Sequence, residues 1–559
     1  MSSSQANLVR LPVELRQQIY REYFKADGGY VFNGESEKLT TASGHPIDLS
    51  LMYTCRFISN DTKGIPLALN NITFSTVYRE DWRPLAGCFN FISIFHRLLE
   101  ADLVVRLERF MTPEMYSHLA LEFPSFDAQI KKVSRDREAS IAESEPEETI
   151  RSGRWMGDAF GWNLNNSAEY FRGFGHIRGD ASLRETWDGD ICTIQGAMSC
   201  CLRLLAEKEP AEFAKLVYEA LPSWVDRYPA REVLDLGFAP WAIPSPSDVK
   251  NATQRLEADS AWQRLEPWYY QASLSPNAPG PQSTRLASLK PEGTRCREKI
   301  RFSAAAIAIR FLGHLSASQR LQIRTITLHE DFPAVSTPSC HVHGLAPYFK
   351  ENPRLRVERR VDLLRCIFEQ TRLRGAQAAA WFLQDPASCD IGDLDGLDVE
   401  EITPVLTGWL RDTLAVTDVG IPAESFTFTL EGGDHADFCT GLFQQFVHRD
   451  IAWDKASKSC IDRSIIVHLQ LPSGGLVDRC LEGAIELLKS QKHILRSDFN
   501  TGHPWDPKPL EEETNRQTTF QWYWAWLERD TIDTDLPPTR AYADLLADNY
   551  EIQTEDEYM

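Results

Sequence analysis

The sequence predicts an α+β multidomain protein, with helices in its first half and a helix-covered sheet in an α/β domain near its C-terminal end. Its 559 residues exceed what one ordinary hydrophobic core organises, so several domains are expected. Apolar residues recur at helical spacing in the run that begins at Phe91. After residue 297, helical stretches alternate with strand-like segments at 321–330, 424–433, 463–471 and 492–499, which is the pattern of an α/β domain.

Shifts in composition divide the chain into five predicted regions. These are a helical N-terminal module (1–80), a mainly helical region (81–240) with a charged linker near 131–153, a Pro/Ser-rich linker (241–296), an α/β domain (297–530) and an acidic tail (531–559). Ile323, Ile326 and Leu328 fit the strand spacing of a leucine-rich repeat, as do residues 466–471. No fixed period links the two matches, so an irregular α/β domain is preferred over a degenerate repeat.

Charge and composition restrict the partners. Lys and Arg number 59 against 80 Asp and Glu, a net charge of −21 that disfavours nucleic acid as a partner. No apolar run approaches the ~20 residues needed to cross a membrane, so no membrane partner is expected. The first ten residues do not resemble a signal peptide, which predicts a cytoplasmic or nuclear location. The twelve cysteines, which include no C-x-x-C pair, are then expected to be reduced thiols.

The segment from Leu8 to Phe24 has the most informative local pattern in the sequence. Pro12 suits the first turn of a helix, because it has no N–H to leave unpaired, and Glu14 lies where the helix dipole favours an acid. Apolar residues follow on one stripe. The stripe consists of Leu11, Leu15, Ile19, Tyr23 and Phe24. Such a helix belongs either to a core or to a docking surface. Which of its two apolar flanks is exposed to solvent distinguishes these alternatives.

Two motifs near this helix resemble a known family. L-P-x-E-L-x-x-x-I, from Leu11 to Ile19, resembles the first helix of an F-box. A second group resembles the other half of fungal F-box-like proteins, in which a Cys-Arg helix leads into an N-x-I-x-F strand. This group consists of Leu51, Cys55, Arg56, Ile58, Asn70 or Asn71, Ile72 and Phe74. Residues 1–80 then form an F-box-like module, in which residues 28–48 are an insert expected to be a hairpin or a flexible loop.

The resemblance implies a function and a set of contact residues. In F-box proteins the first helix binds a Skp-type adaptor of a cullin–RING ubiquitin ligase. The corresponding partner-binding residues here are Leu11, Pro12, Leu15, Ile19 and Tyr23. The expected function is that of a protein-interaction protein, a substrate-recruiting F-box-like subunit whose later domain binds an unknown protein client. No catalytic residue and no cofactor is predicted.

Two alternatives remain open from the sequence. In the first, the protein is a non-catalytic scaffold, and the F-box-like helix is only buried core. In the second, it is a metal-binding enzyme that uses Cys340, His341 and His343. A zinc site needs four converging ligands, which are commonly two closely spaced pairs, and the sequence offers no second pair for this cluster.

Overall fold

The structure, a computed structural model, is organised around a sheet that draws strands from both ends of the chain. It describes residues 8–124, 126–143, 187, 189–256, 268–270, 293–373, 379–380, 382–383, 399–462, 479–491, 494–514, 521 and 540–558. The strands in these residues are β1 (Tyr30–Asn33), β2 (Lys38–Thr41), β3 (Ile72–Ser75), β4 (Val77–Tyr78), β5 (Tyr269–Tyr270), β6 (Arg295–Glu298), β7 (Arg301–Phe302), β8 (Thr325–Glu330), β9 (Arg356–Asp362), β10 (Phe426–Glu431), β11 (Leu495–Ser497) and β12 (Tyr550–Gln553). Helices surround them, so the predicted α+β class is confirmed.

The largest sheet in the described residues has seven strands in the order β11-β10-β9-β8-β3-β1-β2. Every neighbouring pair is parallel except β1 and β2, which form an antiparallel hairpin. In the series β3, β8, β9, β10 and β11, each strand pairs with the one before it, so the sheet grows in one direction. The segments that connect these strands differ greatly in length. β3, from the predicted module 1–80, pairs with β8 of the predicted α/β domain, so one sheet joins the two regions.

The sheet strands bury alternate side chains, as period-two patterning requires. β8 buries Ile326 and Leu328, and β10 buries Phe426, Phe428 and Leu430. β8, β10 and β11 lie inside segments predicted as strands, whereas the predicted strand at 463–471 lies outside the described residues.

The N-terminal region contains three α-helices in its described residues: α1 (Val13–Phe24), α2 (Arg56–Thr62) and α3 (Ile65–Leu69). The insert at 28–48 contains the β1–β2 hairpin, and β1 continues the sheet beside β3. Gly28 and Gly29 open the hairpin with φ of +73° each, and a Cβ at Gly29 would lie 2.5 Å from the Asn71 carbonyl oxygen. Glycine is therefore required where the hairpin meets the sheet.

The middle of the chain is helical, as predicted. Its helices are α4 (Arg83–Leu107), α5 (Pro113–Glu122), α6 (Phe126–Glu143), α7 (Ile191–Lys208), α8 (Pro210–Ala220) and α9 (Pro246–Arg255). Asp102 lies buried within α4 and pairs with Arg106 at 2.8 Å. The charged linker predicted from residue 131 is helical as far as residue 143, and its remaining residues lie outside the described part.

The predicted Pro/Ser-rich linker contains one α-helix within the residues that the structure describes. α9 begins after Ser245, whose Oγ accepts a hydrogen bond from the Asp248 N–H at 3.2 Å. Val249 and Ala252 on this helix are buried, and α9 packs on α4. A proline at the first helical position and a serine cap explain why a Pro/Ser-rich segment is helical here.

The described residues of the C-terminal half contain ten further α-helices. They are α10 (Ala304–His314), α11 (Ala317–Arg320), α12 (Ala346–Glu351), α13 (Val399–Leu414), α14 (Ala436–Leu442), α15 (His448–Asp462), α16 (Arg479–Ser490), α17 (Lys508–Thr514), α18 (Tyr542–Asn549) and α19 (Glu555–Tyr558). α10 packs on β3 and β8. A 3-10 helix, Pro338–Leu345, follows β8 and is called the 338–345 segment below.

The last part of the predicted acidic tail is folded onto the rest of the chain. β12 pairs antiparallel with β6, and α18 buries Tyr542, Leu545 and Leu546 against Cys296. The strand partner lies some 250 residues away, so local sequence patterns did not indicate it. Within the described residues, no helix combines the length and the apolar character that crossing a bilayer requires.

Candidate functional site

Helix α1 has two apolar faces that point in different directions. Tyr20 and Phe24 are buried and pack with Ile58 of α2. Side chains from the surrounding segments close this small core. They are Leu8, Leu49, Leu51, Met52 and Ile65. One face of α1 therefore holds the N-terminal region together through apolar burial.

The other face of α1 is open to solvent. Leu15 is 46% exposed, Ile19 42% and Tyr23 41%, and these three residues follow one another at i, i+4 and i+8. Pro12 is also exposed, and Leu11 is half-buried. Of the five predicted contact residues, four are thus exposed and three form a continuous stripe along the helix. We call Leu15, Ile19 and Tyr23 the exposed stripe. The scaffold alternative required this face to be buried.

Exposed apolar side chains are concentrated in the N-terminal region, which contains the stripe. Fourteen large hydrophobic side chains are exposed in the described residues, and eight of them lie before residue 70. Those eight are Val9, Val13, Leu15, Ile19, Tyr23, Tyr53, Phe57 and Leu69. Single exposed apolar residues are ordinary on protein surfaces, whereas a concentration of them marks an interaction surface.

Polar contacts fix the position of α1. The Arg16 Nε lies 3.1 Å from Asp61 Oδ2, and its guanidinium stacks over the Phe57 ring, 4.9 Å from the centroid. The buried Asn70 side chain donates to the carbonyl oxygens of Phe24 and Pro66, at 2.8 and 2.9 Å. These bonds join both ends of α1 to the Cys-Arg half predicted from the sequence, and the exposed stripe is held on a rigid support.

A carboxylate lies at the end of the exposed stripe. The Tyr23 hydroxyl donates to Asp48 Oδ2 at 2.6 Å. This bond, with those from Ser50, lowers the pKa of Asp48 from 3.8 to about 2. Asp48 is consequently ionised at neutral pH and gives the apolar stripe a charged border.

The 338–345 segment carries the three metal candidates predicted from the sequence, and it does not bring them together. The His341 Nε2 bonds to the Ser336 carbonyl at 2.6 Å, and its Nδ1 bonds to Ser303 Oγ at 2.7 Å. Complete burial lowers the pKa of His341 to about 3, so its ring is neutral. Because both ring nitrogens are already bonded, His341 is a structural residue and offers no ligand atom.

His343 instead faces a pair of residues from the start of α7. Three potential ligand atoms lie within 4.8 Å of one another: a carboxylate oxygen of Asp190, the sulfur of Cys192 and a ring nitrogen of His343. A hydrogen bond with Cys340 and the proximity of His343 lower the pKa of Cys192 to about 7, although burial opposes them. Burial lowers the pKa of His343, but the close approach of Cys192 and Asp412 outweighs it and raises that pKa to about 9.

The sequence analysis missed Asp190 and Cys192 because they lie about 150 residues before His343 and only the fold joins them. A signal was present in retrospect. D-x-C at Asp190–Cys192 and C-x-x-H at Cys340–His343 are two closely spaced pairs of potential ligands. The Cys340 thiol is fully buried and contacts Cys192.

A buried ion pair supports the 338–345 segment. The Arg359 guanidinium binds Glu330 at 2.7 Å and donates to the carbonyl oxygens of Ser339 and Pro338 at 2.7 and 2.5 Å. Glu330 also accepts the Ala304 N–H at the start of α10, at 2.9 Å. The sheet, the start of α10 and the 338–345 segment therefore meet at this ion pair. Both of its side chains are almost completely buried.

Comparisons with known proteins give no relative from which a function can be transferred. No family model, no curated protein and no solved structure matches the chain.

Proposed function

We propose that this chain is an F-box-like protein-interaction subunit that docks through α1 onto a Skp-type adaptor of a cullin–RING ubiquitin ligase. The exposed stripe of Leu15, Ile19 and Tyr23 is the observation that carries the proposal. The later part of the chain would recruit a protein client. Such a subunit acts in the cytoplasm or the nucleus.

The stripe has the composition expected of a docking helix. An amphipathic helix that lies in a groove presents anchors at i, i+4 and i+8, and these anchors supply most of the binding free energy. Fully burying one Leu or Ile contributes about 1.5–3 kcal/mol. Since Leu15 and Ile19 are each partly covered already, each contributes less than this. Tyr23 adds a large ring with a polar end.

The setting of the stripe also favours protein as the partner. Arg16, Glu14 and Asp48 border it, which resembles the polar rim of a protein–protein interface. The rigid attachment through Asn70 and Arg16 means that little conformational entropy is lost on binding.

Co-expression with a Skp-type adaptor tests the proposal. The wild type should retain the adaptor through affinity and size-exclusion steps. Leu15→Asp combined with Ile19→Asp should lower adaptor affinity at least about a hundredfold, because it places two unpaired carboxylates in the apolar contact. Both residues are exposed, so the variant should unfold at the same denaturant concentration as the wild type.

A matched control places the same substitution on exposed apolar residues elsewhere. Leu121→Asp with Val225→Asp should leave adaptor binding unchanged. Failure of the folded wild type to bind the adaptor would contradict the proposal. So would equal loss of binding in the control variant.

A further inference from the structure

The contact between α7 and the 338–345 segment contains a set of potential metal ligands that is independent of the docking surface. Asp190, Cys192 and His343 each offer one ligand atom, and all three atoms lie within 4.8 Å of one another. Thiolate sulfur, imidazole nitrogen and carboxylate oxygen are the three donor types that zinc uses in proteins. They belong to two elements that are distant in sequence and adjacent in the fold.

The histidine is oriented as a metal ligand requires. His343 is 4% exposed, and its Nε2 bonds to the Asp412 carbonyl oxygen at 2.7 Å. A carbonyl only accepts, so Nε2 carries a hydrogen, and Nδ1 is the nitrogen that a metal ion would bind after displacing its proton. That Nδ1 is buried, and Cys192 lies close to the ring. Metal-binding histidines characteristically donate their other N–H to a carbonyl or carboxylate in this way.

Cys340 lies beside these three residues but is not one of the converging ligands. Its thiol is fully buried, contacts Cys192 and donates to the Thr337 carbonyl oxygen at 3.2 Å. Left-handed backbone conformations at Ser336 and Thr337, with φ of 61° and 59°, lead into the segment that presents Cys340.

We propose that Asp190, Cys192 and His343 bind one Zn²⁺ ion. These residues supply one oxygen, one sulfur and one nitrogen ligand. The ion would join the start of α7 to the 338–345 segment, and so the helical middle of the chain to the sheet. Binding would displace any proton that the Cys192 thiol still holds.

Metal content of the reduced full-length chain tests the site. The protein is stripped with a chelator under reducing conditions, reconstituted with Zn²⁺ and dialysed. Wild type should then retain about one zinc per chain, and Cys192→Ser at least about tenfold less under the same dialysis. Cys200→Ser is the matched control, since Cys200 lies on the same helix with similar exposure and should leave the zinc content unchanged.

X-ray absorption of the zinc-loaded wild type keeps the proposal testable if the Cys192 variant fails to fold. The spectrum should give one sulfur ligand near ~2.3 Å together with nitrogen and oxygen ligands near ~2.0–2.2 Å. A shell without sulfur would overturn the proposal. Substoichiometric zinc in the reduced wild type, or equal zinc in Cys192→Ser, would overturn it as well. None of these readouts depends on adaptor binding.

Discussion

Proteins usually bury apolar side chains and expose charged ones. The exposed face of α1 and the buried surroundings of the 338–345 segment are opposite exceptions to this rule. The first places Leu15 and Ile19 in solvent, and the second places Glu330 and Arg359 in the interior. A buried charge is tolerated only with bonded partners, and Glu330 and Arg359 provide partners for each other. An exposed apolar side chain needs no such partner, so its position is not explained by the stability of the fold.

This contrast separates the two regions experimentally. Substitutions in the buried region should change the free energy of unfolding, and substitutions on the exposed stripe should change binding alone. A residue that changed both would show that the two regions are coupled. The predictions below run from the largest expected effect to the smallest.

The largest effect is expected at the buried ion pair. Arg359→Leu leaves Glu330 charged and buried without its partner, and it removes the donors to Ser339 and Pro338. The free energy of unfolding should fall by about 3–5 kcal/mol. Arg360→Leu, on the solvent side of the same strand, should change it by less than about 1 kcal/mol. Denaturant titration of both variants measures the difference, and equal effects would refute the assignment of Arg359 to the interior.

Two adjacent residues of α1 provide the sharpest test of its two faces. Tyr20→Ala removes a fully buried ring and should reduce the stability of the N-terminal region by about 3–5 kcal/mol. Ile19→Ala removes an exposed side chain and should leave that stability within about 0.5 kcal/mol. Ile19→Ala should nevertheless lower adaptor affinity about tenfold, because it removes an apolar contact with the adaptor. Limited proteolysis and adaptor titration distinguish the two outcomes, and a destabilised Ile19→Ala would contradict the account.

The smallest effect concerns pH. The Tyr23 hydroxyl and Ser50 hold the folded pKa of Asp48 at about 2, below its ordinary 3.8. A carboxylate with a depressed folded pKa stabilises the fold above its ordinary pKa, and this contribution disappears as the pH falls towards the folded value. Wild type should therefore be slightly more stable than Asp48→Asn at pH 5, and the difference should narrow by pH 3. A difference that widens on acidification would contradict the Tyr23–Asp48 bond.

Much of the fold was predictable wherever local patterning was strong. α1, α4, α7, α13 and the strands β8 and β10 follow periodic apolar residues, because each buries one stripe or one face. β9 (Arg356–Asp362) was not among the predicted strands. Arg359 occupies an inward position between Val357 and Val361, so the apolar alternation is broken by a buried charge.

The candidate sites were predictable to different degrees for the same physical reason. The stripe Leu15, Ile19 and Tyr23 follows from helical spacing alone, although its exposure depends on where α2 packs. The convergence of Cys192 with His343 depends on the docking of α7 against the 338–345 segment, which no local pattern encodes. The pairing of β12 with β6 is similarly non-local.

Hydrogen exchange on the full-length chain, with and without a purified Skp-type adaptor, tests the central claim most directly. The account predicts that the adaptor slows exchange in residues 11–24, with smaller protection at 51–60, and leaves the seven-stranded sheet unchanged. Leu15→Asp with Ile19→Asp should abolish that protection. Absence of any complex, or protection confined to residues beyond 80, would contradict the assignment of α1 as the docking helix.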